Sequence, residues 1–165
     1  MTARHVVAVE ALMLRAGDGW SYRRVVVSPG PGESPDEAAR RAAGVEAGAR
    51  DVVVHSTSWR HLPGEIVLTY AVCPDPEPWL PAAGLPAPEV ARGAAPATPS
   101  PERVEVAQVA AHAIRHLAFL MAEDPVVREA LARHPQVAIA LSPSGATPGG
   151  RAPAWAAPPS DTSAR

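Results

Sequence analysis

The chain contains no lysine. All 15 of its basic side chains are arginines, set against 17 acidic ones, for a formal charge of −2. This balance excludes the positive field on which non-specific nucleic-acid binding depends, so no nucleic-acid partner is expected. The single cysteine, Cys73, excludes an internal disulfide and a cysteine-rich zinc site. No apolar run reaches the ~18 residues of a membrane span. Glu10 interrupts the N-terminal apolar stretch too early for a secretory leader. A cytoplasmic protein without a membrane partner is expected. Arginine in place of lysine, with abundant Ala and 20 Pro, points to GC-rich bacterial coding, a property of codons rather than of function.

What is present is enough for one core: 165 residues, 47% of them hydrophobic. Residues 5–15, HVVAVEALMLR, read as a strand whose loose alternation suits a position covered on both faces. AGDG at 16–19 is turn chemistry, and WSYRRVVVSP follows as a second strand. DVVVHSTSWR (51–60) and EIVLTYAVC (65–73) flank His61-Leu62-Pro63-Gly64 and predict a hairpin. Strict alternation places His55, Thr57 and Trp59 on one face of that first strand. Residues 74–101 are dense in proline and predict a loop without regular structure, with Trp79 packing back to hide its indole.

From about 102 to 134 the chain turns helical. Val106, Val109, Ala110, Ala113, Leu117 and Leu120 recur at spacings of three and four. Asp124 and Pro125 suit the cap and first position of a second, short helix. His112 and His116 stand four apart, as a shared metal would need, but no third ligand joins them at helical spacing, so a solvated polar stripe is expected. Residues 136–141, QVAIAL, read as an edge strand, and 142–165 as a disordered tail. The fold class is α+β: a mixed sheet, one loop–helix unit and a C-terminal helical pair, in a single domain over residues 1–141.

Gly32–Gly48, GESPDEAARRAAGVEAG, is the loop–helix unit. Ser34 is placed to cap the helix, Pro35 to occupy its first position and Glu37 to complete a capping box. Asp36 and Glu37 suit the positive end of the helix dipole and are expected in solvent. Gly48 is the expected left-handed C-cap.

These residues, placed directly after a strand, resemble the Nudix box of nucleoside-diphosphate-linked hydrolases, G-x5-E-x7-R-E-U-x-E-E-x-G-U. Glu33 takes the first Glu, Arg41 the Arg, Glu46 the last Glu and Gly48 the late Gly. Ala42 and Val45 stand where the family has Glu, and the leading Gly falls on Val27 unless Gly30, three residues on, takes its place. The resemblance covers about residues 5–73. It implies that Arg41 pairs with Glu33 to hold the loop–helix geometry. It also implies that helix carboxylates would carry Mg²⁺ in an active hydrolase. Ala and Val supply no oxygen, so Glu46 alone would make a weak metal site.

The strands of the hairpin would line the base-binding side of such a domain, with a nucleobase stacked on Trp59 and a hydrogen bond from His55 or Thr57. The reading is therefore a non-catalytic Nudix-like domain that binds a nucleotide-type small molecule or a protein partner through Glu33, Arg41, Glu46, His55, Thr57 and Trp59. The alternatives are an active Mg²⁺-dependent hydrolase of a nucleoside-diphosphate-linked substrate, and an interaction protein forming a homodimer through its C-terminal helices.

Overall fold

The computed structural model describes residues 5–85 and 89–143. β1 (Val6–Ala16) and β2 (Trp20–Val27) form an antiparallel hairpin, followed by α1 (Pro35–Ala43). β3 (Val53–Leu62) and β4 (Glu65–Cys73) form a second hairpin, and β5 (Ala83–Leu85) follows. The described residues close with α2 (Val106–Glu123), α3 (Pro125–Ala132) and α4 (Pro135–Leu141). The sheet is five-stranded, in the order β3-β4-β1-β2-β5. β1 and β4 run parallel and the remaining pairs are antiparallel, which makes the sheet mixed and the fold α+β.

β1 is central and covered on both sides, as its loosely alternating apolar letters predict. Its two faces serve different layers. Val9, Ala11 and Met13 turn toward α1, where they meet Ala38, Ala39, Ala43, Tyr70 and Val72. Leu12 and Leu14 turn the other way and join Ala71 and Cys73 beneath α2, α3 and α4. The small side chains of α1 let that short helix lie close on the sheet. The larger core is on the opposite side, built on Ile114, Leu117, Val127, Leu131, Val137 and Leu141.

Three expectations are corrected here. Residues 136–141 are helical rather than an edge strand, because Pro135 starts α4 and the inward-facing Val137 and Leu141 are four apart. A short apolar run does not by itself distinguish the two periods. The C-terminal pair is thus three helices. The proline-rich segment holds a strand, β5, against Trp20–Tyr22 of β2. Trp79 does not pack back and is 73% exposed. The group that returns to the domain is Asp75, fully buried between Arg15 at 2.7 Å and Arg23 at 2.9 Å. Arg15 also donates to the carbonyls of Glu77 and Leu80, fastening the start of the loop. The expected tail lies, from residue 144 onward, outside the described residues.

Candidate functional site

The loop–helix unit opens as its letters predict. The Ser34 side chain accepts from the Glu37 N–H at 3.3 Å, and the Glu37 carboxylate accepts from the Ser34 N–H at 2.7 Å. The Ser34 N–H and hydroxyl hold the Glu37 carboxyl below its ordinary range. Arg41 reaches back across the first turns and donates to both Glu33 oxygens at 2.8 Å. It also donates to the Ser28 carbonyl at 3.2 Å, while the Gly30 N–H donates to Glu33 at 2.7 Å. Two backbone groups of the loop, the Ser28 carbonyl and the Gly30 N–H, are tied to one guanidinium–carboxylate fork. Arg41, then the Gly30 N–H, hold the Glu33 carboxyl down at about 2.

Asp36 is not simply solvated. It accepts from the Tyr70 hydroxyl of β4, which fastens the first turn of α1 to the sheet. Burial first, then the Asp36 carboxylate, raise the Tyr70 hydroxyl above its ordinary range.

The far end of the unit departs from the sequence reading. α1 stops at Ala43, and Gly44 rather than Gly48 is the left-handed cap, at φ 69°. The Val45 N–H donates to the Arg40 carbonyl at 2.9 Å and the Gly44 N–H to Arg41 at 3.3 Å, the Schellman pattern that ends a helix. Glu46 therefore lies beyond the helix, exposed on a loop, and shares no helical face with Glu33 or Arg41. Ala42 and Val45 pack against the small core around Ala11, Met13, Ala43 and Val72. Among the described residues, no group of three or more His, Cys, Asp or Glu side chains is arranged to hold a metal ion.

β3 contains the other correction. Ser56 pairs with Tyr70 and Ser58 with Thr69, so Thr57 is an extra residue bulged out of the ladder. The bulge inverts the face of every later residue relative to simple alternation. His55 pairs with Ala71 and faces α2, where its ring centre lies 5.5 Å from that of His116. Trp59 pairs with Leu68 and faces the α1 side, 68% exposed. His55, Thr57 and Trp59 thus do not form one stripe, and His55 cannot assist a ligand on Trp59. The Thr57 hydroxyl donates to the Thr69 carbonyl at 3.4 Å within the sheet.

The shelf around Trp59 is legible from the ladder. Trp59, Leu68, Val9 and Val27 form one cross-strand row on the α1 side, and His61, Ile66 and Val7 form the next. Val9 is buried beneath α1, whereas Val7 is 37% exposed beyond it. The Tyr70–Asp36 contact puts the start of α1 over the neighbouring row, so the shelf opens beside the Glu33–Arg41 loop.

On the opposite side of the sheet, Glu10 is fully buried and receives Arg24 at 2.6 Å, Arg60 at 2.8 Å and Thr69 at 3.0 Å. Burial acts to raise its pKa, but the hydrogen bonds of Arg60 and Arg24 and the charge of Arg60 outweigh burial and leave the carboxyl below its ordinary range. Composition gives no hint of this network, because a lone Glu in an apolar strand reads as an interruption. No buried side-chain polar atom among the described residues lacks a hydrogen-bond partner.

No family model, curated protein or solved structure matches the chain.

Proposed function

We propose that this is a non-catalytic, Nudix-like binding domain of the cytoplasm, whose ligand is a nucleotide-type molecule read through its base on the Trp59 shelf. The observation that carries the reading is the end of α1 at Gly44. With Ala42 and Val45 turned into the core and Glu46 beyond the helix, the box offers no convergent oxygen set for Mg²⁺. The Glu33–Arg41 fork remains and acts as a clamp on the loop rather than as catalytic equipment.

Trp59 supplies the recognition surface. An indole 68% exposed on a sheet face, beside half-buried Leu68 and Ile66, presents a flat apolar platform to a base. The N-terminus of α1 offers no phosphate cradle, because Asp36 and Glu37 already occupy its positive end. The ligand is accordingly held by its base more than by its phosphates.

A thermal-shift screen tests this, since a ligand of the folded state raises the melting temperature by mass action. Nucleosides and nucleotides are expected to give similar shifts that do not depend on Mg²⁺ and vanish in Trp59→Ala. A shift that requires Mg²⁺ would instead support the hydrolase. A second reading, self-association, is favoured by exposed Phe119, Val126 and Ile139 on the three C-terminal helices, at 56%, 77% and 65%. Sedimentation of the unliganded chain separates them: a dimer disrupted by Ile139→Asp, with no nucleotide shift, would favour that reading.

A further inference from the structure

Trp79 is an exposed indole on a firmly held turn, at the end of the sheet away from Trp59. Trp59 shares a cross-strand row with Val9, and Arg15 lies six residues further along β1, roughly 20 Å away. Glu77-Pro78-Trp79-Leu80 forms a β-turn, closed by the Leu80 N–H on the Glu77 carbonyl at 3.1 Å, with Pro78 fixing its first corner. One Arg15 nitrogen donates to the carbonyls at both ends of that turn, Glu77 at 3.2 Å and Leu80 at 2.6 Å. Asp75, buried between Arg15 and Arg23, ties down the approach to it. At 73% exposure the indole contributes little to the core, yet its place is fixed.

The turn walls a groove of about 660 Å³, whose other apolar walls are Val45 and Val52 from the loop between α1 and β3. The acidic side chains that line it are Glu46, Asp51 and Asp75, and no arginine among the described residues joins them. Asp75 is already paired with Arg15 and Arg23. Glu46 and Asp51 are exposed and make no ion pair among the described residues. His134 also lines the groove, and its Nε2 donates to the Asp51 carbonyl at 2.6 Å, holding the acidic loop against the start of α4. We propose that this groove docks an arginine-bearing segment of a partner protein, whose guanidinium stacks on Trp79 and pairs with Glu46 or Asp51.

The chemistry of the walls selects that side chain. The face of an indole attracts a cation through its quadrupole, more strongly than the other aromatic rings do. A guanidinium is planar and weakly hydrated, so it can lie flat on the ring while its edge donates to a carboxylate; the compact ammonium of lysine cannot do both as well. An acidic segment would meet Glu46 and Asp51 as like charges, and an uncharged one would cover the indole while drawing two unpaired carboxylates out of water. Pro76, Pro78 and the Arg15 clasp leave few torsions to freeze on this side, so little of the contact energy is lost to ordering the site.

Calorimetric titration of the full chain at low salt, with an acetylated and amidated peptide of alternating Arg and Ala, tests the assignment. One peptide per chain is expected to bind, with a Kd of about 0.1 mM or tighter, and to weaken as salt is raised. The same peptide with citrulline in place of arginine keeps the shape, loses the charge and should bind at least about fivefold more weakly. Trp79→Ala, and Glu46→Gln combined with Asp51→Asn, should each weaken binding by at least about fivefold with the melting temperature unchanged. Glu123→Gln combined with Glu129→Gln makes the same charge change at two exposed positions outside the groove and should leave affinity unchanged. Absence of one-site binding to the wild-type chain would overturn the proposal without reference to any variant. So would equal binding of the citrulline peptide, binding that survives Trp79→Ala, or an equal loss in the Glu123/Glu129 variant.

Discussion

Arg60, on the edge strand β3, lies over β4 and grips Glu10 of the central strand with both ends of its guanidinium, each nitrogen 2.8 Å from a carboxylate oxygen. The carboxylate is fully buried, while the Arg60 side chain is 20% exposed. Breaking one side of a buried pair leaves a charge without compensation, which typically costs about 3–5 kcal/mol. Arg24 and Thr69 still hold the Glu10 carboxylate in Arg60→Ala, so stability in urea should fall by less than that, about 1–3 kcal/mol. Replacing Glu10 and Arg60 together by Leu and Met should cost much less, and equal losses in both variants would show that packing rather than charge dominates.

The clamp of the loop–helix unit is sensitive to acid in a defined direction. Glu33 has its pKa lowered in the folded chain, from an ordinary 4.5 to about 2, by Arg41 and then by the Gly30 N–H. A depressed carboxyl stabilises fully above its unfolded value and loses that contribution as pH falls toward its folded value. The melting temperatures of wild type and Glu33→Gln should thus differ most above pH 4.5 and converge as pH falls toward 2. A constant gap across that interval would contradict the clamp.

Gly44 sets the length of α1. At φ 69°, a side chain there meets the left-handed penalty of about 1–2 kcal/mol, so Gly44→Ala should destabilise by about that much. The double variant Ala42→Glu, Val45→Glu adds carboxylates at positions that face the core or lie past the helix end. It should lower the melting temperature and bind Mg²⁺ no better than wild type. A gain in Mg²⁺ affinity by calorimetry would show that the helix can extend to Gly48 after all.

Cys73 is buried in the larger core, and that burial pushes its thiol up to about 12. An unprotonated thiol is the reactive form. Native protein at pH 8 should resist an aromatic disulfide reagent, and one thiol per chain should react once urea unfolds it. Fast labelling of the native chain would mean that the end of β4 opens without global unfolding.

Local chemistry was legible wherever a few neighbouring residues decide the outcome. The β1–β2 and β3–β4 hairpins, the cap at Ser34 and Glu37, and the cap at Asp124 with Pro125 are all of this kind. Arg41 closing on Glu33 is the pairing expected from the resemblance. Competing signals produced the errors. Gly44 and Gly48 both suit a C-cap, and the earlier one ended the helix. QVAIAL fits either period, and Pro135 decided for α4.

Other features depend on contacts that no window along the chain reveals. The parallel register of β1 on β4, the burial of Asp75 between two arginines, and the arrival of His55 beside α2 each join residues far apart in sequence. A bulge is harder still, because it leaves the composition of a strand untouched while changing its phase.

That bulge makes β3 a strand with slack. Thr57 has no opposite number on β4, and every residue from Ser58 to Leu62 keeps its partner by counting from Ser58. The edge strand can therefore lose Thr57 and still deliver Trp59 to one side and Arg60 to the other. Straightening the strand with Thr57 retained would exchange those sides, turning the indole inward against the helices and leaving Glu10 without its fork. A single spare residue thus acts as a phase setting for the whole edge, deciding which side of the protein receives its aromatic surface and which receives its charge.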